Sequence, residues 1–238
     1  MKILAIEASA VAASAAVTDG GVLLAEEFTQ TALTHSVTLL PAVDSVMKKS
    51  GLSLSEIDLV AVTEGPGSFS GLRIGVTTAK TIAYAAGKKT VGVSTLSALA
   101  AALPFAEKVI CPIMDARRDQ VYNAMFRWRD GKLEALREPR AISAEELAND
   151  IRSLGQEVIF IGDGVKRFKE YFIKELGSLS HFAPAHLCAS RASCVAFMAE
   201  SMAAEAKDPN ELNPVYLRLS QAEREYNEKE NKGNKGKE

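Results

Sequence analysis

At 238 residues, 47% of them hydrophobic, the chain is long enough to bury a sizeable core, and its net charge of −2 excludes an overall bias toward nucleic acid or an anionic membrane. Three cysteines, Cys111, Cys188 and Cys194, are odd in number and widely spread, which argues against a disulfide framework and for a reducing, cytoplasmic setting. No apolar run reaches the roughly 18 residues of a membrane-spanning helix.

The N-terminus, MKILAIEASAVAASAAV, is apolar, but Glu7 interrupts it and Lys2 is a thin basic region, so a buried strand over Lys2–Ala8 is expected rather than a signal peptide. Ala13–Thr18 and Val22–Phe28 read as two further strands joined by an Asp19-Gly20-Gly21 hairpin turn. Thr38–Lys49 reads as a helix with Leu39, Val43, Val46 and Met47 on one stripe, Pro41 near its first turn and Gly51 at its end. A strand over 58–63 then leads through Gly65-Pro66-Gly67 into a helix over 70–86, capped by Ser68 or Ser70. Gly71, Gly75, Ala79 and Ala83 recur every fourth residue and share one face of that helix. Two glycines inside a helix cost about 1 kcal/mol each against Ala, so the row signals a close backbone approach, a ligand or both. Thr90–Val93 is a strand, and Ser94 caps a helix to about Leu103.

Pro104 opens a second half with the same order of elements. Strands are expected over 108–114, 120–127 and 132–137, with Asp130-Gly131 as a hairpin turn. Ser143 and Glu146 form a capping box for a helix to about Leu154. A strand over 157–161, a Gly162-Asp163-Gly164 turn, a helix over 165–176 and a last helix from Ser190 or Ser193 to about Ala206 follow. The expected class is α/β: two halves, 1–103 and 104–220, each a mixed sheet flanked by helices. The segment Gln221–Glu238, with balanced charge and almost no apolar residue, reads as a solvated tail.

Chemistry-bearing patterns are sparse. His35, His181 and His186 match no metal-binding helix spacing, and Pro184 separates the last two, so no metal site is expected. His35 reads as a capping or surface residue. The glycine turn lacks the Lys of a Walker A loop, the third Gly of a dinucleotide fingerprint and the central Ser of a nucleophile elbow. Cys111 lies within an apolar strand, the usual place of a structural thiol. Asp115, Arg117 and Arg118 crowd a strand junction, where the arginines are able to pair with carboxylates, bind an anion or simply face water.

Several stretches resemble the TsaB (YeaZ) family: ILAIEAS at 3–9, HSVTLLP at 35–41, EGPGSFSGLRIGVTTAK at 64–80, GVSTLSALA at 92–100, DARRDQVYNAMF at 115–126 and NPVYLR at 213–218. The resemblance implies two ribonuclease-H-like halves of the ASKHA (actin-like) type. It implies a role in tRNA threonylcarbamoyladenosine biosynthesis as a non-catalytic partner of TsaD, which transfers threonylcarbamoyl to an adenine next to the anticodon. It further implies TsaE in the larger complex, a homodimer when alone, tRNA contact only through the complex, no membrane and no cofactor. Of the histidine pair by which TsaD holds metal, this sequence keeps His35 but carries Leu39 four residues on. Glu7 stands where the family often has Asp, which weakens any nucleotide site. The competing readings are an actin-like ATPase or kinase, for which the second half offers only Asp163-Gly164-Val165, and a peptidase, which lacks a triad or metal pair.

In the family the two first-half helices pair with those of TsaD; they map here to about His35–Lys49 and Ser70–Gly87. One face of each must cover its own sheet, and a surplus apolar or small-residue face marks an interaction site. The expected partner surface is Leu39, Val43, Val46 and Met47 with Gly71, Leu72, Gly75, Val76, Ala79, Ile82 and Ala83.

Overall fold

The computed structural model describes residues 1–31 and 33–218; the expected tail from Gln221 lies outside the described residues. Its first sheet is built from β1 (Lys2–Glu7), β2 (Ala13–Asp19), β3 (Val22–Thr29), β4 (Leu59–Gly65) and β5 (Lys89–Ser94), in the order β3-β2-β1-β4-β5. β1 and β2 pair antiparallel from Lys2 opposite Asp19 to Glu7 opposite Ser14, and β4 and β5 add in parallel. Almost every residue of β1 is buried, because both faces of the sheet are covered. Leu4 and Ile6 point into a core closed by α1 (His35–Ser50) and α2 (Phe69–Ala86), whereas Ile3 and Ala5 point into one closed on the other side.

The second sheet repeats this plan. β6 (Val109–Asp115), β7 (Gln120–Arg129), β8 (Lys132–Ser143), β9 (Val158–Ile161) and β10 (Ser180–Phe182) run in the order β10-β9-β6-β7-β8, the same arrangement as the first. α4 (Ala144–Leu154) and α5 (Gly164–Leu176) cover its outer face around Phe160 and Phe172, whose rings stack 4.4 Å apart. Between the sheets lie α3 (Thr95–Ala101) and α6 (Ala192–Ser201), which pack against one another. The fold is therefore two ribonuclease-H-like halves, each a mixed five-stranded sheet with helices on both faces.

The local signals explain most elements. Ser68 caps α2 by accepting from the Gly71 amide, and Gly87 ends that helix with φ of 65°. Ser143 and Glu146 form both arms of the capping box of α4.

Four sequence expectations need correction. α1 begins three residues before Thr38, so Pro41 lies in its second turn rather than its first; the N–H that Pro41 lacks would have bonded the carbonyl of Val37, a residue on the exposed side of the helix. β8 runs on to Ser143 through Pro139, with irregular register against β7. β10 is a short strand where no strand is expected from the sequence. Finally, the chain after residue 190 returns to the first half: α6 packs on β1 and β2, Lys207 exchanges two backbone bonds with Thr90, and Leu212 is buried beside α2. A second half running continuously over 104–220 thus misplaces its last thirty or so residues, because a helix set between two sheets carries no local mark of which sheet it covers.

Candidate partner interface

The four-residue period of the α2 stripe has a definite internal cause. A methyl group on Gly71 would lie 2.2 Å from the Ala8 carbonyl oxygen, and one on Gly67 would lie 2.3 Å from that of Ser9. Gly75 faces the Ala8 side chain. The small residues therefore admit the β1–β2 loop of the same chain, and the Ser68 amide donates to the Ser9 carbonyl at 2.7 Å.

This settles which of the expected surface residues reach the surface. Leu39, Val43, Val46, Gly71, Leu72, Gly75, Val76, Ala79 and Ala83 are all buried within the chain. Only Met47 and Ile82 are half-exposed, packed on the edge of the first core. The physical reason is that a helix lying on a sheet turns its most apolar and smallest stripe inward, where burial is worth about 25 cal/mol per Å² and close approach is possible.

Further apolar residues lie on the flanks and outer sides of these two helices. On α1, Val37 is 61% exposed and Leu40 60% exposed, with Met47 two turns further along the Leu40 side. On α2, Ile74, Thr78 and Ile82 follow at four-residue spacing, all half-buried, and Tyr84 is 74% exposed. α1 and α2 lie side by side on one sheet face, so Val37, Leu40, Met47, Ile74 and Ile82 give the two-helix layer a partly exposed apolar strip, with Tyr84 on the other flank of α2. Lone exposed apolar side chains are ordinary, but several on two adjoining helices are the mark of an interaction surface.

A second feature lies between the halves, where the C-terminal ends of β1, β4 and β6 converge. A cleft of about 750 Å³ is lined by Ser9, His35, Ser68, Asp115, Arg117 and Tyr122 among others. His35 opens α1, and its Nε2 lies 3.2 Å from the Ala12 carbonyl. Leu39 is buried. Glu7 ends β1 but does not face the cleft as a free carboxylate: Oε1 accepts from the Ser9 amide at 2.6 Å and hydroxyl at 2.5 Å, and Oε2 accepts from the Ser190 hydroxyl at 2.8 Å. Burial pushes its carboxyl above the usual carboxylate range, partly opposed by those hydrogen bonds. The Cys111 thiol, fully buried in β6, is pushed up to about 12, as befits a structural residue.

Asp115, Arg117 and Arg118 occupy the β6–β7 turn, where Arg117, Arg118 and Asp119 hold left-handed backbone angles (φ of 62°, 53° and 57°). Arg167 of α5 bridges Asp115 at 3.1 Å and Asp119 at 2.8 Å, which ties the turn from beneath. The Arg117 and Arg118 side chains are exposed. Among the described residues, no cluster of three His, Cys, Asp or Glu side chains is placed to hold a metal ion, and no helix is long and apolar enough to cross a membrane.

Comparisons with known proteins converge. The sequence pattern of TsaD, tRNA N6-adenosine threonylcarbamoyltransferase, matches residues 20–230. The tRNA threonylcarbamoyladenosine biosynthesis protein TsaB of Bacillus subtilis is 32% identical over 226 residues, 95% of this chain and 98% of that protein. Its namesake in Escherichia coli is 33% identical over 168 residues, 69% of this chain and 72% of that protein. The solved structure of YeaZ from Pseudomonas aeruginosa has the same fold, with a TM-score of 0.76 at 21% identity over 91% of this chain and 99% of that one. A second Pseudomonas aeruginosa structure, described as similar to peptidase YeaZ, gives a TM-score of 0.78 at 22% identity, with the same coverage.

Proposed function

This chain belongs to the TsaB family and takes part in tRNA threonylcarbamoyladenosine biosynthesis; within that process we propose that it is a non-catalytic subunit that binds TsaD through the outer face of α1 and α2. The observation that carries the proposal is the apolar strip of exposed Val37 and Leu40 with Met47, Ile74 and Ile82, which the chain's own core covers only in part. It is assembled on the two helices expected for the interface, beside the small-residue stripe rather than on it. In the absence of TsaD the same strip pairs two copies of the chain. TsaE joins the larger complex, and tRNA is met only there, in the cytoplasm.

Two features support the lack of turnover. The Glu7 oxygens are engaged by Ser9 and Ser190 within the chain, so the end of β1 offers no free carboxylate to position a reacting group. The glycine turn before α2 is filled by the Ala8–Ser9 backbone, which occupies the space a phosphate would need to approach Gly67 and Gly71. Co-purification with TsaD and TsaE, followed by tRNA modification assayed with each component left out, tests the proposal. Modification that requires this chain, with no ATP consumption by the chain alone, supports it; full modification in its absence, or turnover by the isolated chain, refutes it.

A further inference from the structure

We propose that the C-terminal arm, Asn213–Arg218, is a clasp that spans the two halves and sets the width of the cleft between them. The root of the arm is fixed in the first half. Leu212 is buried in the α1–α2 core, and Lys80 of α2 donates to the carbonyls of Asn210 at 3.3 Å and Leu212 at 3.0 Å. The Val215 amide then donates to the Glu64 carbonyl at 2.7 Å, at the end of β4. Gly65 is needed for this contact: its φ is 136°, and a methyl group there would lie 2.3 Å from the Val215 carbonyl oxygen. Tyr216 stacks on Phe69 with ring centroids 4.8 Å apart, and its hydroxyl accepts from Nε of Arg73 at 3.1 Å. Arg73 itself lies 3.9 Å over the Phe69 ring.

Two residues on, the arm reaches the other half. Arg218 donates to the carbonyls of Ala116 and Arg117, in the left-handed turn after β6. Val215, Tyr216, Leu217 and Arg218 line the cleft that both anchors border. The chain otherwise crosses between halves near residues 101–109 and 183–191, on the α3 and α6 side. A third tie, made from a few side-chain contacts at the open side of the cleft, restrains the motion that the other two allow. The arm has partly exposed anchors and little buried apolar area beyond Leu212, which places it at the low-stability end of the molecule, where segments that open are found.

Hydrogen exchange of the full chain tests this, with each anchor broken in turn and the result read at the other anchor. Arg218→Ala removes only the second-half contact; the clasp predicts that exchange at the Val215 amide, on the first half, rises by about tenfold or more. Tyr216→Ala removes the first-half stack; the clasp predicts a similar rise at the Ala116 and Gln120 amides, which close the β6–β7 turn. Amides of β1 and β6 serve as the control for intact sheets, and if one variant does not fold the other is read alone. Exchange that changes only beside the substituted residue overturns the proposal.

Discussion

The Gly71 α-carbon sits against the Ala8 carbonyl oxygen so closely that a β-carbon there would be 2.2 Å from it. This contact fixes α2 on the end of β1 and turns its small-residue face inward. Gly71→Ala should therefore destabilise the isolated chain, by about 1–3 kcal/mol if the β1–β2 loop yields, as overpacking typically does. Urea unfolding measures it, with Thr77→Ala on the exposed face expected to stay within about 0.5 kcal/mol. A neutral Gly71→Ala would mean that the loop moves aside freely.

Glu26 of β3 supplies what the α6 N-terminus lacks. Its Oε1 accepts from the Ser193 amide at 3.0 Å and hydroxyl at 2.8 Å, and its Oε2 from Arg191 at 3.1 Å. A carboxylate at a helix start is favoured both by free N–H groups and by the helix dipole. Glu26→Ala should cost about 1–3 kcal/mol, the usual range for hydrogen bonds to a charged group, and should speed amide exchange at Ser193 more than in β6. Unchanged exchange in α6 would show that the helix holds itself.

Glu7 makes the stability depend on pH with a definite sign. Its folded-state pKa is raised above the unfolded value by burial, so the folded chain retains a proton that the unfolded chain has lost. The stability it contributes is full below the unfolded pKa, near the usual 4.5, and is lost as pH rises toward the folded value. Glu7→Gln cannot titrate. The stability difference, variant minus wild type, should increase across that rising-pH interval and then level off. A difference that stays flat with pH would show that the Glu7 carboxyl is ionised in the fold.

Arg117 and Arg118 sit at φ of 62° and 53°, angles that cost an L-residue roughly 1–2 kcal/mol and that glycine adopts freely. Arg118→Gly should leave stability equal or higher, by up to about 1 kcal/mol, because relief of strain offsets the added freedom of the unfolded chain. Chemical denaturation measures this. A clear loss of stability would mean that the Arg118 side chain itself holds the turn.

The sequence made most elements readable because their signals are local. The Ser143–Glu146 box, the Asp19–Gly21 and Asp130–Gly131 turns and the Gly87 stop each act within a few residues. What it could not reveal was which side of a helix faces in. The Gly71–Ala83 row allows close approach by any backbone, and only the position of Ala8, sixty-odd residues earlier in the chain, decides that the backbone is its own. The outer strip had a signal that could have been found: Val37 and Leu40 lie off the Leu39–Val43–Val46 stripe, and Ile74, Thr78 and Ile82 form a second row beside the glycines. The Glu26 cap and the arm from Asn213 join residues more than a hundred positions apart, beyond any local pattern.

The outer face of α1 and α2 is the proposed TsaD-binding surface, and Leu40→Glu tests it most directly. Leu40 is exposed, so the isolated chain should keep its thermal stability to within about 0.5 kcal/mol. Its affinity for TsaD, measured by titration calorimetry, should fall about thirtyfold or more, the loss of a central interface residue worth about 2 kcal/mol. Gly75→Leu, on the buried stripe, should instead unfold or destabilise the chain before any binding is measured. Leu40→Glu binding TsaD as tightly as the wild type, with the fold intact, would contradict the proposed interface.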